Sequence, residues 1–349
     1  MTKVTYPTPV IKTNYAKILI QLFSDYGLDT HQLIEESFLP PNLIESKSNY
    51  VPQETVKLLI FKASSQLTTP QFNEVLSLAF KNKIIPNILH EFFEFKTIGD
   101  SLKHVNTIFS LDSPGSNVNF VQEYEMSWFS RGTSESQSLN FQYEEIFVIT
   151  YIIELIRILS QSSWKPTKVR LQGQDSNLVQ SVVSEQCQIF VDQESTAVLI
   201  PNDILQLPIR LSLKDITPKP NLLNWSTNFS DNVRELIKPY IKEQDLSLEE
   251  AAKLFNLSIR SFQRKLHKEN MTYRNIKEKL IVSIACELIE DGHSITYISS
   301  QLGYTNISHF SRAFKRVSGV SPKNYQSTLP KVNPIENEFG GLLSFNIHT

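Results

Sequence analysis

Two groups of hydrogen-bonding and basic side chains stand close together near the C-terminal end: Arg260, Gln263, Arg264, Lys265 and Lys268, then Ser308, Ser311, Arg312, Lys315 and Arg316, with Ile307 beside the second. A guanidinium presents a rigid fork of donors that fits guanine O6 and N7, a carboxamide fits adenine in the same bidentate way, and an isoleucine can meet a thymine methyl. Lysine adds positive charge that holds phosphate without reading sequence. Such residue types are suited to nucleic acid, provided that local structure places them on one exposed face.

That placement follows from the flanking residues. In LSLEEAAKLFNLSIRSFQRKL, Ser247 and Glu250 stand three apart and can close a capping box ahead of Leu248, Ala251 and Leu254, so a helix starts there. Phe255-Asn256-Leu257 breaks the pattern, with Asn256 able to take a left-handed turn conformation, and Ser258 caps a second helix. Phe262 and Leu266, four apart, face the core, leaving Arg260, Gln263, Arg264 and Lys268 on other faces. Ala251 and Ala252 stay small where the two helices meet. The sequence SITYISSQLGYTNISHFSRAFKR repeats this logic: Ser294 caps, Ile295, Ile298 and Leu302 point inward, Gly303 closes the helix, and Thr305 or Asn306 opens the next. There Phe310, Ala313 and Phe314 pack, while Ser308, Ser311, Arg312 and Lys315 stay available. Gly319 and Ser321-Pro322 end that helix and begin a last short one. Between the two helix-turn-helix units, Tyr273, Ile276, Leu280, Ile284 and Leu288 recur at three or four, which predicts one helix from Thr272 to Glu290, a rod of about 28 Å. A rod of that length could hold two reading helices roughly one turn of B-DNA apart.

Over residues 229–328 the combination SxxxxQRKL followed by LGYxNxSHFSRAFKRxxGxSPxxY resembles the DNA-binding domain of the AraC/XylS family of bacterial transcription regulators. The resemblance implies base and phosphate contacts at Arg260, Gln263 and Arg264 in the first reading helix and at Ile307, Ser308, Ser311 and Arg312 in the second; Lys265, Lys268, Lys315 and Arg316 would hold phosphates. It also implies promoter DNA and RNA polymerase as partners, and activation as the commoner mode. Three positions depart from the family pattern: Ile281 where arginine is common, Asn270 in place of a glycine, and Ser299 in place of a small alanine.

One helix-turn-helix shape is often only a packing unit, and one basic helical face is often only solvated; two correctly spaced units argue against both. Charge is a weaker witness. Residues 229–328 carry 15 Lys and Arg against 11 Asp and Glu, a net +4 in a chain of net −2, so the basic bias is modest and concentrated at 260–268 and 312–316. With 349 residues, 40% hydrophobic and 20% charged, the chain can bury two or three cores as a soluble, cytoplasmic protein. The longest apolar stretch, Ile146 to Leu159, is interrupted by Glu154 and Arg157, and MTKVTYPTPVIK has no apolar signal core, so no membrane partner is expected. Cys187 and Cys286 lack metal-like spacing and read as core filling; no cofactor or metal is expected.

Composition divides the chain into an N-terminal effector-binding or dimerisation domain (1–213), a Pro-containing linker (214–228), the DNA-binding domain (229–328) and a C-terminal tail (329–349). The N-terminal part mixes helical patterns (Tyr15 to Tyr26, Pro52 to Gln66, Gln71 to Lys81, Ile88 to Phe95, Tyr143 to Leu159, Leu178 to Ser184) with strand patterns (Val118 to Tyr124, Glu125 to Arg131, Lys168 to Gln172, Gln188 to Asp192, Ala197 to Ile200). The expected fold is thus an α+β N-terminal domain followed by an all-α domain of two helix-turn-helix units joined by a long helix. YGLD at 26–29, GDSL at 99–102, WKPTKV at 164–169 and IFVDQESTAVLIPNDIL resemble the arabinose-binding-type N-terminal domain of some regulators in this family, a name that implies no arabinose ligand.

Enzymatic motifs are missing: no HExxH, GxSxG, Walker loop or GxGxxG occurs, and Glu144-Glu145 should point to different, solvated helix faces. Three readings of the N-terminal half stay open. It could bind a small-molecule effector, with Tyr124, Trp128, Phe129, Tyr143, Trp164 and Phe190 around a pocket and Arg131 or Arg170 receiving an anion. It could only dimerise. Or a methyl-accepting cysteine could make an enzyme-regulator, which needs a reactive thiolate at Cys187 or Cys286.

Overall fold

The computed structural model describes residues 9–46, 48–113, 117–123, 125–132, 141–211, 228–241 and 246–329. The chain divides into two compact units, Met1–Lys277 and Glu278–Thr349. The N-terminal region is α+β and the C-terminal region all-helical. The expected linker at 214–228 lies outside the described residues except for Asn228, as do Tyr124 and the tail beyond Leu329.

The first unit opens with strand β1 (Val10–Lys12) and helices α1 (Thr13–Asp25) and α2 (Thr30–Glu36), then strand β2 (Tyr50–Pro52), which pairs antiparallel with β1. At three residues each, these strands are too short to register as alternation in the sequence. Helices α3 (Gln53–Ser64) and α4 (Thr69–Ala79) follow. A helix from Ile88 to Phe95 is expected, but the chain forms a π turn at Phe80–Ile84 and two 3-10 turns at Ile85–Asn87 and Leu89–Phe92. Pro86, which has no N–H to donate, sits at the junction and prevents one regular helix from running through.

Short helices α5 (Ile98–Leu102) and α6 (Val105–Asp112) lead into a five-stranded sheet of β3 (Val118–Glu123), β4 (Met126–Arg131), β5 (Lys168–Arg170), β6 (Gln188–Phe190) and β7 (Thr196–Ile200), in the order β3-β4-β7-β5-β6. The β5–β6 pair is parallel and the others antiparallel. Helices α7 (Phe141–Ser160), α8 (Asn177–Gln180) and α9 (Asn202–Leu205) complete this part. α7 is apolar nearly all round, and a helix of that kind must be enclosed. It packs against α3, α4, α5, α8 and β7, with Ile146, Ile149, Leu155, Ile156 and Leu159 wholly buried.

α7 also carries carboxylates inward, where solvated faces are expected from the sequence. Glu144 forms an ion pair with Lys57 at 3.0 Å, and Lys57 also holds Glu54 at 2.7 Å. Glu145 is 1% exposed, and its Oε1 accepts from the Gln172 N–H at 2.7 Å and the Thr196 hydroxyl at 2.8 Å. This carboxylate ties α7 to β7 and to the loop after β5. It also requires glycine at 173, where a Cβ would lie 2.8 Å from Glu145 Oε2. Glu154, likewise buried, accepts from Ser77 at 2.9 Å and Arg157 at 2.8 Å. A buried carboxylate is tolerated only when bonded in this way.

Burial pushes the Glu145 carboxyl above the ordinary glutamate range, against the opposing effect of its bonds from Thr196, Gln172 and Gly173. A raised native pKa means that the native state holds the proton longer than the unfolded chain does. Stability is therefore lost as pH rises from the unfolded value of about 4.3 through the raised native value. We expect urea unfolding between about pH 4.5 and about pH 8 to show wild type losing stability relative to Glu145→Gln as pH increases; parallel profiles would refute the assignment.

Candidate nucleic-acid interface

α10 (Phe229–Ile241), α11 (Leu248–Leu254) and α12 (Ile259–Lys268) form the first helix-turn-helix unit, and α13 (Tyr273–Glu290) begins after it. Ser247 and Glu250 make the expected reciprocal capping box. Asn256 takes φ 48° in the turn, and the Ser258 hydroxyl accepts the Ser261 N–H at 3.3 Å. Phe262 and Leu266 are completely buried, and the Phe262 ring meets those of Phe229, Phe255 and Tyr273 at 5.4 to 6.0 Å. Past α12, Asn270 at φ 56° performs the left-handed turn usually given to glycine, so this departure from the family pattern leaves the backbone path possible. The Tyr273 hydroxyl and the Lys277 ammonium both donate to the Leu246 carbonyl, at 2.8 and 3.0 Å, anchoring the start of α13 to the residues that lead into α11.

The inward stripe leaves Arg260, Gln263, Arg264 and Lys268 exposed on α12. Lys265 differs. It is half-buried with its ammonium 5.2 Å from the Phe229 ring centre, and burial, together with Arg264 and Lys268 nearby, holds its pKa below the usual lysine range.

In the second unit, α14 (Ile295–Gln301) is capped by Ser294, and Gly303 turns the chain at φ 74°. Of the two residues the sequence offered as the next cap, Asn306 serves: its Oδ1 accepts the His309 N–H at 2.9 Å and opens α15 (Ile307–Ser318). Phe310 and Phe314 are wholly buried among Val282, Ala285, Ile289 and Ile298. Gly319 at φ 83° ends α15, and Ser321 caps α16 (Pro322–Thr328). Ile307, Ser308, Arg312, Lys315 and Arg316 are exposed and Ser311 is half-buried. Arg312 Nε donates to the Ser308 carbonyl at 3.3 Å, one turn back along the helix. Arg316 is committed to Glu278 at 2.9 Å. Of the other two departures, Ser299 is buried at 2% exposure and Ile281 half-buried, and neither interrupts its helix.

The two reading helices match at a constant offset of 48 residues: Phe262 with Phe310, Leu266 with Phe314, Arg264 with Arg312 and Ile259 with Ile307. Ile259 was not among the sequence candidates, yet it is exposed much as Ile307 is, 39% against 42%. The repeat carries the signal that finds it: the first residue after each cap is an apolar side chain held in solvent. Part of the basic character has a local cause, since Lys265 and Lys268 on α12, and Lys315 and Arg316 on α15, fall in last turns, where cations offset the helix dipole. Arg260, Gln263, Arg264 and Arg312 are not explained in that way.

In the N-terminal region, a solvent-open cavity of about 580 Å³, open space included, is lined by Phe129 and Arg131, and a neighbouring one of about 360 Å³ on the same measure by Tyr143 and again Arg131. The other aromatic candidates lie elsewhere. Trp128 is buried under the Arg170 guanidinium at 3.9 Å, Trp164 is half-buried at the end of α7's connection, and Phe190 is 42% exposed. Arg170 is paired with Glu123 at 2.9 Å, which removes it as an anion receptor. Burial pushes both the Cys187 and Cys286 thiols up, the opposite of what a reactive thiolate needs.

Each unit is a helix-turn-helix whose second helix keeps polar and basic side chains exposed. A family model described as a helix-turn-helix domain matches residues 251–328. The DNA-binding dual transcriptional regulator Rns of Escherichia coli is 36% identical over 102 residues, 28% of this chain and 37% of that protein. The transcriptional activator CfaD of Escherichia coli is 35% identical over the same shares of each chain, and the regulator AdiY of Escherichia coli strain K12 is 33% identical over 28% of this chain and 39% of its own. The chain thus spans little more than a third of the curated relatives it matches. The solved structure of transcriptional regulator CdpR from Pseudomonas aeruginosa aligns with 89% of this chain and 97% of that one at 16% identity and a TM-score of 0.32, a likeness too slight to characterise the N-terminal fold. Residues 251–328 form a helix-turn-helix domain of the AraC/XylS type.

One carboxylate holds α10 to the first reading helix. Glu269, just past α12, accepts the backbone N–H groups of Phe229 and Ser230 at 2.8 Å each, satisfying the otherwise unpaired start of α10. Burial alone would raise its pKa, but the bonds from Ser230 and Phe229 outweigh burial and hold it below the glutamate range. A depressed native pKa contributes stability that is present above the unfolded value of about 4.3 and is lost as pH falls through the native value. Glu269→Ala should therefore cost about 1–2 kcal/mol in urea unfolding at neutral pH, with the difference from wild type narrowing below about pH 4.

Proposed function

We propose that this chain is a sequence-specific, DNA-binding transcription regulator of AraC/XylS type, cytoplasmic and without enzymatic activity, which activates promoters in response to a small molecule bound by its N-terminal region. The observation that carries the DNA-binding part is the pair of capped helices α12 and α15. Each is fastened by two buried apolar residues and presents an arginine at the same position of its outer face, Arg264 and Arg312. Arg260, Gln263, Arg264, Ile259, Ile307, Ser308, Ser311 and Arg312 are assigned to base edges, and Lys268 and Lys315 to phosphates. Lys265 and Arg316, already engaged by Phe229 and Glu278, serve positioning more than charge. No helix among the described residues is long and apolar enough to cross a membrane.

The matched relatives carry names of DNA-binding and activating proteins, which supports promoter DNA as partner and, for an activator, contact with RNA polymerase. In this reading residues 1–213 sense or dimerise, 214–228 link, and 229–328 bind DNA. The arabinose-binding-type resemblance belongs to the N-terminal part of the proposal, as does a homodimer. Regulation would work by shifting the population of forms competent to engage DNA.

Gel-shift titration on promoter fragments recovered by genome-wide occupancy tests the assignment. Arg264→Ala with Arg312→Ala should abolish discrimination between specific and random duplex. Lys268→Ala and Lys315→Ala should instead weaken both uniformly, each reducing the slope of log K against log salt by about one. Discrete sites that persist in the double arginine variant would refute the base-contact assignment.

A further inference from the structure

The larger N-terminal cavity has an apolar wall and a single cation. Five aromatic side chains line it, Tyr15, Phe109, Phe129, Phe147 and Tyr151, and Arg131 enters at the end of β4. The hollow is open to solvent, and its about 580 Å³ includes that open space, so a ligand would sit partly at its mouth. Arg131 also borders the neighbouring cavity, so it stands between the two.

A guanidinium has five N–H donors and no acceptor, and Arg131 is half-buried beside the cavity, where those donors can meet a ligand. Among the described residues the Arg131 guanidinium has no ion-pair partner within 4 Å and no hydrogen bond, although Glu144 and Glu54 act on it at longer range. Those carboxylates are themselves held by Lys57 at 3.0 and 2.7 Å. Lys57, Glu54, Glu144 and Arg131 sum to zero charge, so any anion would be recognised by the open donor fork of Arg131 rather than by a general positive field. With both carboxylates held by Lys57, a ligand's ammonium group would find no open partner there. That counts against an amino acid.

We propose that this cavity binds a small apolar monocarboxylate, its carboxylate bidentate on Arg131 and its hydrocarbon body among the five aromatic rings. The site deepens the effector reading above and rests on it for its regulatory meaning. A path to the first helix-turn-helix unit lies beside it. Ile11 of β1 and Gln53, next to β2, line the cavity, and β2 packs against α10, whose Tyr240 hydroxyl donates to the Phe38 carbonyl at 2.8 Å.

The test uses the full chain without DNA, and 3-phenylpropionate and octanoate beside their primary amides, which match them in shape but cannot offer two acceptors to the fork. Thermal shift and calorimetry should give at least about a tenfold preference for acid over amide in wild type, the size expected of hydrogen bonds between charged groups. Arg131→Met should abolish that preference and Arg131→Lys, which keeps charge but loses the fork, should reduce it. If neither acid stabilises the protein, if acid and amide bind alike, or if Arg131→Met keeps the preference, the proposal is overturned. Should the variants fail to fold, the acid–amide comparison on wild type decides alone. DNA binding is read separately by gel shift, so loss of the regulator reading leaves this result intact, and the reverse also holds.

Discussion

A short helix that must both fold and read a partner has few residues to spend on its own attachment. α12 and α15 meet this constraint with two inward side chains each, Phe262 and Leu266 in one and Phe310 and Phe314 in the other, all wholly buried. Burying one such residue is worth about 1.5–3 kcal/mol, and aromatic pairs add a little more. Because so narrow a stripe fastens each helix, the remaining faces are free to carry guanidinium, carboxamide and exposed isoleucine. The caps at Ser258 and Asn306 matter for the same reason, since they fix where each helix begins and therefore which residues face outward.

The N-terminal region solves a different problem. α7 is apolar on almost every side, and a helix like that survives only inside a shell, which α3, α4, α5, α8 and β7 supply. Its carboxylates then come to lie indoors, and each is compensated in its own way: Glu145 by backbone N–H groups and a hydroxyl, Glu154 by Ser77 and Arg157, Glu144 by Lys57. These bonds join α7 to distant segments with a directionality that hydrophobic contact lacks.

Arg131 stands apart from this pattern. Arg170 shows what the region does with an ordinary arginine, stacking it on Trp128 and pairing it with Glu123. Arg131, with no ion pair or side-chain hydrogen bond among the described residues, borders an aromatic cavity instead. The contrast between two arginines on one sheet is what singles out the cavity from ordinary packing defects. Ile11 of β1 lines that cavity, and β2, paired with β1, packs against α10.

The local elements of the C-terminal region were determined by sequence alone: the capping box at Ser247, the later serine and asparagine caps, left-handed Asn256 and Gly303, aromatic spacing and Pro322 each act within a few residues, so chain order was enough to place them. The repeat even held Ile259 within reach. Tertiary structure alone decided what the polar side chains do. Nothing near Arg170 in the sequence announces Glu123, nothing near Arg316 announces Glu278, and Glu145 meets Thr196 across 51 residues. The same holds for the three-residue strands β1 and β2, whose pairing comes from segments some forty residues apart and leaves no periodicity to read. Secondary structure and amphipathic faces are set by neighbours along the chain, whereas the partner of a charge, and whether it has one, is set by which distant segments the core brings together.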